Sequence, residues 1–209
     1  MIEMKDILVI VDVQKGFTKD YTVEKIPVIE DLLSRRVFDT VIATKYWNTP
    51  DSNISRLMGW KDLCTEEEQD LVPEIEPYVD HITAKNIYSG VTPELVELLK
   101  ELGGGRLPEY VFLLGFDTEC CLLSTAADLF EMGVRPLVLT EYSGSHDGPK
   151  YHDAGIVAME HLIGPNFLIE KNDIKCKEDI RTIVLDVMSQ IEEKVLDLKR
   201  RIQADRQML

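Results

Sequence analysis

The stretch Tyr110-Val111-Phe112-Leu113-Leu114-Gly115-Phe116-Asp117-Thr118-Glu119-Cys120-Cys121 decides how the chain is read. Its first five residues are continuously apolar, as a strand buried on both faces must be. Ser124 to Met132 has helical character and stops at Gly133. A turn bearing two adjacent thiols therefore joins the end of a strand to the start of a helix. Unpaired N–H groups at a helix N-terminus carry partial positive charge, which eases the ionisation of a thiol, and thiolate is the reactive form. Cys120 and Cys121 also fit the description of small buried hydrophobes. The turn alone leaves both readings open.

Outward from this turn, strands alternate with helical patterns. Strands are predicted at Ile7 to Val11, Thr40 to Thr44, His81 to Ala84, Arg135 to Thr140 and Asn166 to Glu170. Helical spacing covers Val23 to Arg36, Thr92 to Leu102 and Lys150 to Ile163, with Thr92-Pro93 as a cap and first-turn proline. Apolar strands in alternation with helices predict an α/β protein with a mostly parallel sheet covered on both faces. In such sheets ligands bind beyond the carboxyl ends of the strands, where the winding reverses. The polar stretch from Tyr46 to about Glu76 is long for a loop in a compact domain, and loops of that length are often functional.

From Lys177 onward Ile180, Ile183, Val184, Val187, Ile191, Val195 and Leu198 recur at threes and fours, one apolar helical stripe. A continuous helix to about Asp205 would be roughly 40 Å long, more than a small domain usually covers. The expectation is a single domain over residues 1–209 whose extension, 177–209, joins a homo-oligomer through its outer part.

The chain has 209 residues and a formal net charge of −15, which argues against nucleic acid and anionic membrane as partners. No apolar run reaches the length of a membrane span, and Met1 to Asp12 lacks the features of an export signal. A chain this large and leucine-rich needs no disulfide staples for its four cysteines, so a reducing cytoplasm is the expected setting, and the lack of a Cys-x-x-Cys pair argues against structural zinc.

Three chemistry-bearing groups fall at strand ends. Asp12 follows the first strand, Lys85 the third, and Cys120 and Cys121 the fourth. A carboxylate can take a thiol's proton, a nearby ammonium stabilises thiolate, and backbone N–H groups can hold an oxyanion. That set would support nucleophilic acyl transfer. Asp12 as a helix cap and Lys85 as a solvated side chain are the plain alternatives.

Asp12-x-Gln14-x-x-Phe17, Lys85-x-x-Tyr88-Ser89 and Gly115-x-x-Thr118-Glu119-x-Cys121, with Thr125-Ala126 and Gly133, resemble the isochorismatase-like cysteine hydrolases over roughly residues 5–170. The resemblance implies a three-layer sandwich around a six-stranded sheet in order 3-2-1-4-5-6, with Asp12 and Cys121 facing each other at the reversal. It selects Cys121 as nucleophile, six residues after Gly115, and sends Cys120 into packing. It implies Asp12 as base, Lys85 as thiolate stabiliser, a cis Phe116–Asp117 bond, and the N–H groups of Asp117 and Cys121 as oxyanion hole. Phe17, Trp47 and Tyr88 are the candidate substrate-binding residues, with plain core aromatics as the alternative reading.

Departures from the family pattern narrow the function. Nicotinamidases carry Asp-Trp-His-Pro and a further histidine that bind a metal; this chain has Tyr46-Trp47-Asn48-Thr49-Pro50. No catalytic metal and no other cofactor are expected, and nicotinamide is a less favoured substrate. His146 and Asp147 are placed near the pocket mouth, with His146 expected to be solvated; His81, His152 and His161 are expected to be structural. The resulting expectation is a cysteine-dependent hydrolase of a small-molecule amide or carbamoyl group. A catalytically silent binding or scaffold protein, a nicotinamidase and a thiol redox protein are the competing readings.

Overall fold

The computed structural model describes residues 5–171 and 173–207, with side chains described as far as residue 203. Six strands form one sheet: β1 (Ile7–Val11), β2 (Thr40–Tyr46), β3 (His81–Lys85), β4 (Tyr110–Gly115), β5 (Arg135–Leu139) and β6 (Leu168–Ile169). Their order is β3-β2-β1-β4-β5-β6 and every pairing is parallel. The chain winds outward from β1 in one direction and from β4 in the other, so the reversal lies between those two strands. All five residues of β1 and all six of β4 are buried. Successive side chains of a strand point to opposite faces, so both faces of the sheet are covered.

Helices α1 (Ile26–Ser34), α2 (Glu66–Gln69), α3 (Pro93–Leu102), α4 (Leu123–Glu131), α5 (Pro149–Leu162) and α6 (Lys177–Gln207) complete the fold. Thr92 caps α3 as its sequence foretold, its Oγ1 accepting from Leu95 N at 3.3 Å. The apolar stripe of α6 divides in two. Ile180, Ile183 and Val187 are buried in the core, whereas Val195, Leu198 and Ile202 are 43%, 57% and 44% exposed.

Two strands end later than the sequence suggested: β2 runs to Tyr46 and β3 to Lys85. Register then fixes the site. Val11 pairs with Thr44 on one side and Gly115 on the other, and Tyr46 pairs with Lys85. Asp12, Lys85 and the segment after Gly115 therefore leave the same edge of the sheet. Gly115 has φ of +135°, and a Cβ there would lie 2.1 Å from Val11 O, so only glycine lets β4 turn beside β1.

Candidate active site

The turn that carries the thiols is one π-helical turn, Thr118–Leu122, running into α4. Leu122 N donates to Asp117 O at 3.0 Å, and the preceding Phe116–Asp117 bond is cis. The turn is tied down from three sides. Thr118 N and Oγ1 both donate to Gly144 O at 3.0 Å, fixing it to the loop after β5. Thr125 Oγ1 donates to Cys121 O at 2.7 Å and accepts from Gly90 N at 2.8 Å, joining it to the loop after β3. Helix α5 presses on it at Gly155, where a Cβ would stand 2.7 Å from Glu119 N.

Asp12 is fully buried, at φ of +52°. Its Oδ1 accepts from Thr44 Oγ1 at 2.6 Å, and its Oδ2 faces Lys85 Nζ at 2.6 Å. It caps no helix. Lys85 is not solvated either: Nζ donates to Ile87 O at 3.0 Å and Tyr88 O at 2.8 Å, and it stands 5.1 Å from the Tyr46 ring centre. The two carbonyls take two of the three ammonium hydrogens, and Asp12 meets the ammonium as its ion partner. Oδ2 meets the ammonium as an ion pair but has no hydrogen-bond partner of good geometry, so it retains room to accept a proton. Cys121, buried at 4% exposure, interacts with both members of the pair.

The electrostatics correct one expectation. The thiol of Cys121 is not eased into ionisation by its place at a helix start. Burial first, then the Asp12 charge, push it well above its ordinary value, with Lys85 pulling the other way. Burial also raises the Asp12 carboxyl against the opposing effect of Lys85. Burial lowers the Lys85 ammonium, but Asp12 and Cys121 outweigh it and hold it above its ordinary value. The raised thiol stays protonated and the raised lysine stays an ammonium, with the Asp12 carboxyl beside both.

A cavity of about 200 Å³ opens over Cys121. Phe17 and Tyr88 line it, as expected. Trp47 does not: it lies outside the cavity at 38% exposure, and the indole in the wall belongs to Trp60, stacked 6.0 Å from Phe17. Cys120, expected in packing, also lines the cavity, where burial, then Glu119, Asp117 and Asp147, push its thiol up to about 12. His146 is not solvated. Its Nδ1 lies 2.6 Å from Asp117 Oδ2, its N donates to Asp117 Oδ1 at 2.8 Å, and its ring meets Phe17 at 5.6 Å. The bond to Asp117 holds its pKa above the ordinary value, against the effect of burial. His152 is structural, its Nδ1 2.8 Å from Thr118 Oγ1.

Tyr46 and Glu119 also line the cavity and were missed. Tyr46 is the true last residue of β2, a strand-end position by the rule that found the others. Gln14 holds it there: Tyr46 N donates to Gln14 Oε1 at 2.7 Å and Gln14 Nε2 donates to Tyr46 O at 2.8 Å.

Asn48 stands where nicotinamidases have a metal-ligating histidine. It is buried and knits the loop together: Nδ2 donates to Asp62 O at 3.0 Å, and Oδ1 accepts from Thr49 N, Ser52 Oγ and Ser55 Oγ at 2.9, 2.5 and 3.2 Å. Tyr46, Asn48 and Ser52 therefore do not fit a metal at this place, and no group of three His, Cys, Asp or Glu suited to a metal occurs among the described residues.

A buried carboxylate–ammonium pair beside a thiol, at the winding reversal of a parallel α/β sheet, defines a class of fold and site. The comparisons narrow it. Residues 6–168 match the model of the isochorismatase domain, so the chain belongs to the isochorismatase family. Isochorismatase family protein 2B of Dictyostelium discoideum is 30% identical over 88 residues, 39% of this chain and 41% of that protein; the match thus spans less than half of the curated relative. An isochorismatase-like hydrolase from Alkaliphilus metalliredigens shares the fold with a TM-score of 0.65 at 20% identity, over 76% of this chain and 92% of that one. N-carbamoylsarcosine amidase from Thermoplasma acidophilum does so with a TM-score of 0.62 at 22% identity, over 75% and 93%. Among the described residues no helix is long and apolar enough to cross a membrane.

Proposed function

We propose that this isochorismatase-family chain is a cysteine-dependent hydrolase that cleaves a small-molecule amide or carbamoyl C–N bond through a thioester. The observation that carries this is the fully buried Asp12–Lys85 pair, 2.6 Å apart, beside the buried Cys121 thiol. Asp12 takes the S–H proton of Cys121, and the thiolate attacks the carbonyl carbon. The backbone N–H groups of Asp117 and Cys121 hold the oxyanion. Asp12 returns its proton to the leaving nitrogen as the C–N bond breaks, leaving the acyl group on sulfur. A water then gives a proton to Asp12 and attacks the thioester, and the released thiolate recovers the proton.

Charge conservation favours this route. Thiol, carboxylate and ammonium sum to zero, and so do thiolate, carboxylic acid and ammonium. The transfer from Cys121 to Asp12 therefore creates no net charge among side chains that are almost fully buried, where an unbalanced charge is costly. Lys85 stays cationic throughout and changes partner from carboxylate to thiolate.

The Asn48 knot disfavours a nicotinamidase that uses a metal at this loop. The high thiol pKa of Cys120 disfavours a Cys120–Cys121 redox couple. A silent scaffold protein has no use for a buried ion pair aimed at a thiol. On this reading residues 1–209 act as one unit in the cytoplasm, and the exposed apolar end of α6 joins copies of the chain. Ammonia release from a panel of small amides, ureas and carbamoyl compounds tests the activity. Turnover should vanish in Cys121→Ala; undiminished turnover by that variant would end the proposal.

A further inference from the structure

Among the described residues, three buried side-chain oxygen atoms have no hydrogen-bond partner: Asp12 Oδ2, Tyr46 Oη and Glu119 Oε2. Native proteins pair such atoms almost without exception, so each needs a reason. Asp12 Oδ2 has one, as proton acceptor. The other two belong to residues that line the cavity over Cys121. Tyr46 is 2% exposed, with its ring packed 6.4 Å from that of Phe17 and 6.1 Å from that of Trp60. Glu119 Oε1 accepts from Ser145 Oγ at 2.8 Å, which fixes the carboxylate and leaves Oε2 unfilled.

The charge around these atoms has one sign. The cavity wall carries Asp117, Glu119 and Asp147 against a single imidazole, His146, and no lysine or arginine. The ammonium of Lys85 is committed to Asp12 and two carbonyls. Lys19 is drawn off to Asp62 at 2.6 Å. A carboxylate-bearing substrate would meet only His146 as a possible cation, already held by Asp117, beside the carboxylates of Glu119 and Asp147.

We propose that Glu119 Oε2 and Tyr46 Oη recognise the substrate, and that it is a small amide bearing an ammonium or other N–H-rich cationic group and no carboxylate. Glu119 accepts from the cationic end, and Tyr46 bonds the amide beside Cys121. The inference deepens the amidohydrolase reading and rests on it for the placement of the amide. The cavity volume of about 200 Å³ suits a small molecule.

Three amides with one linker test it: 3-aminopropanamide (cationic), butanamide (neutral) and succinamate (anionic). Ammonia release by the wild type should favour the cation over the anion by about tenfold or more in kcat/KM. Glu119→Gln should remove most of that preference, read as the ratio of kcat/KM for 3-aminopropanamide over butanamide within each protein. Tyr46→Phe should lower turnover of all three without altering their ranking. Calorimetric binding of the same amides to Cys121→Ala reads recognition without chemistry. The cation binding best there, with no turnover by the wild type, would keep this inference and reject the hydrolase reading. Succinamate bound or turned over as well as 3-aminopropanamide, or a charge ranking unmoved in folded Glu119→Gln, would overturn the inference.

Discussion

Replacing Lys85 by Met keeps most of the aliphatic stem and removes the ammonium. Both partners of the ion pair have side chains no more than 1% exposed. Removing one partner of such a pair typically costs about 3–5 kcal/mol, because a charge is left buried alone. The carbonyls of Ile87 and Tyr88 also lose their donor, a part of the cost that pH does not change. Asp12, however, can escape by taking up a proton. Burial already raises its carboxyl, and the main influence holding it down is Lys85 itself. An acid whose folded pKa lies above its unfolded value binds more protons in the native state. The stability this lends is full below the unfolded pKa and is lost as pH rises through the folded one. The loss runs at up to about 1.4 kcal/mol per pH unit within that window. Urea unfolding of Lys85→Met should therefore show a small penalty near about pH 5 and the full one near about pH 8. Asp12→Asn combined with Lys85→Met should recover part of the loss and be nearly flat with pH, since no buried charge remains. An equal penalty at both pH values, or a double variant no more stable than the single one at the higher pH, would refute the reasoning.

Further outcomes follow from the same geometry. The rate constant kcat/KM should fall on acidification with a midpoint above the ordinary carboxyl value of 3.8, since Asp12 must be ionised to act as base. It should show no alkaline loss from Lys85 below the ordinary lysine value of 10.5, because Asp12 and Cys121 hold the ammonium above it; a pH–rate profile checks both limbs. Gly115→Ala should destabilise the protein by more than about 3 kcal/mol in urea unfolding, because its Cβ would overlap Val11 O at 2.1 Å in a backbone with positive φ. Leu198→Glu with Ile202→Glu should shift the elution volume on gel filtration from oligomer to monomer while leaving the unfolding midpoint nearly unchanged, since neither residue packs in the core. A wild type that elutes as a monomer would remove the role given to the end of α6.

The fold was legible because its strands are continuous apolar runs and its site residues sit where those runs stop. Asp12, Lys85 and the adjacent Cys120 and Cys121 were found by that rule, and the family resemblance chose Cys121 between the two thiols. Tyr46 escaped because β2 was ended at Thr44: Lys45 breaks the apolar run although it pairs with Ala84 in the sheet. The exchange of Trp47 for Trp60 has a similar origin. Which indole reaches the cavity depends on how residues 47–63 fold back, and that is set by the bonds Asn48 makes to Thr49, Ser52, Ser55 and Asp62. No periodicity encodes such a knot. His146 was read as solvated because a Gly/Ser-rich loop is usually exposed. Its burial depends on Asp117, far away in sequence, whose carboxylate takes both its backbone N–H and its ring nitrogen. Burial also reverses the simple expectation for the thiol: desolvation and the Asp12 charge push Cys121 up, and neither can be read from its place at a helix start.

The claim on which the rest depends is that Cys121 bonds covalently to the substrate. Rapid quenching during turnover of an amide found active in the panel, followed by mass measurement of the peptide that contains Cys120 and Cys121, addresses it directly. The peptide should gain the mass of the acyl group. The gain should persist in Cys120→Ala, form more slowly in Asp12→Asn and be absent in Cys121→Ala together with ammonia release. An adduct that survives in Cys121→Ala, or steady ammonia release by that variant, would show that the thiol at the turn after β4 is not the nucleophile.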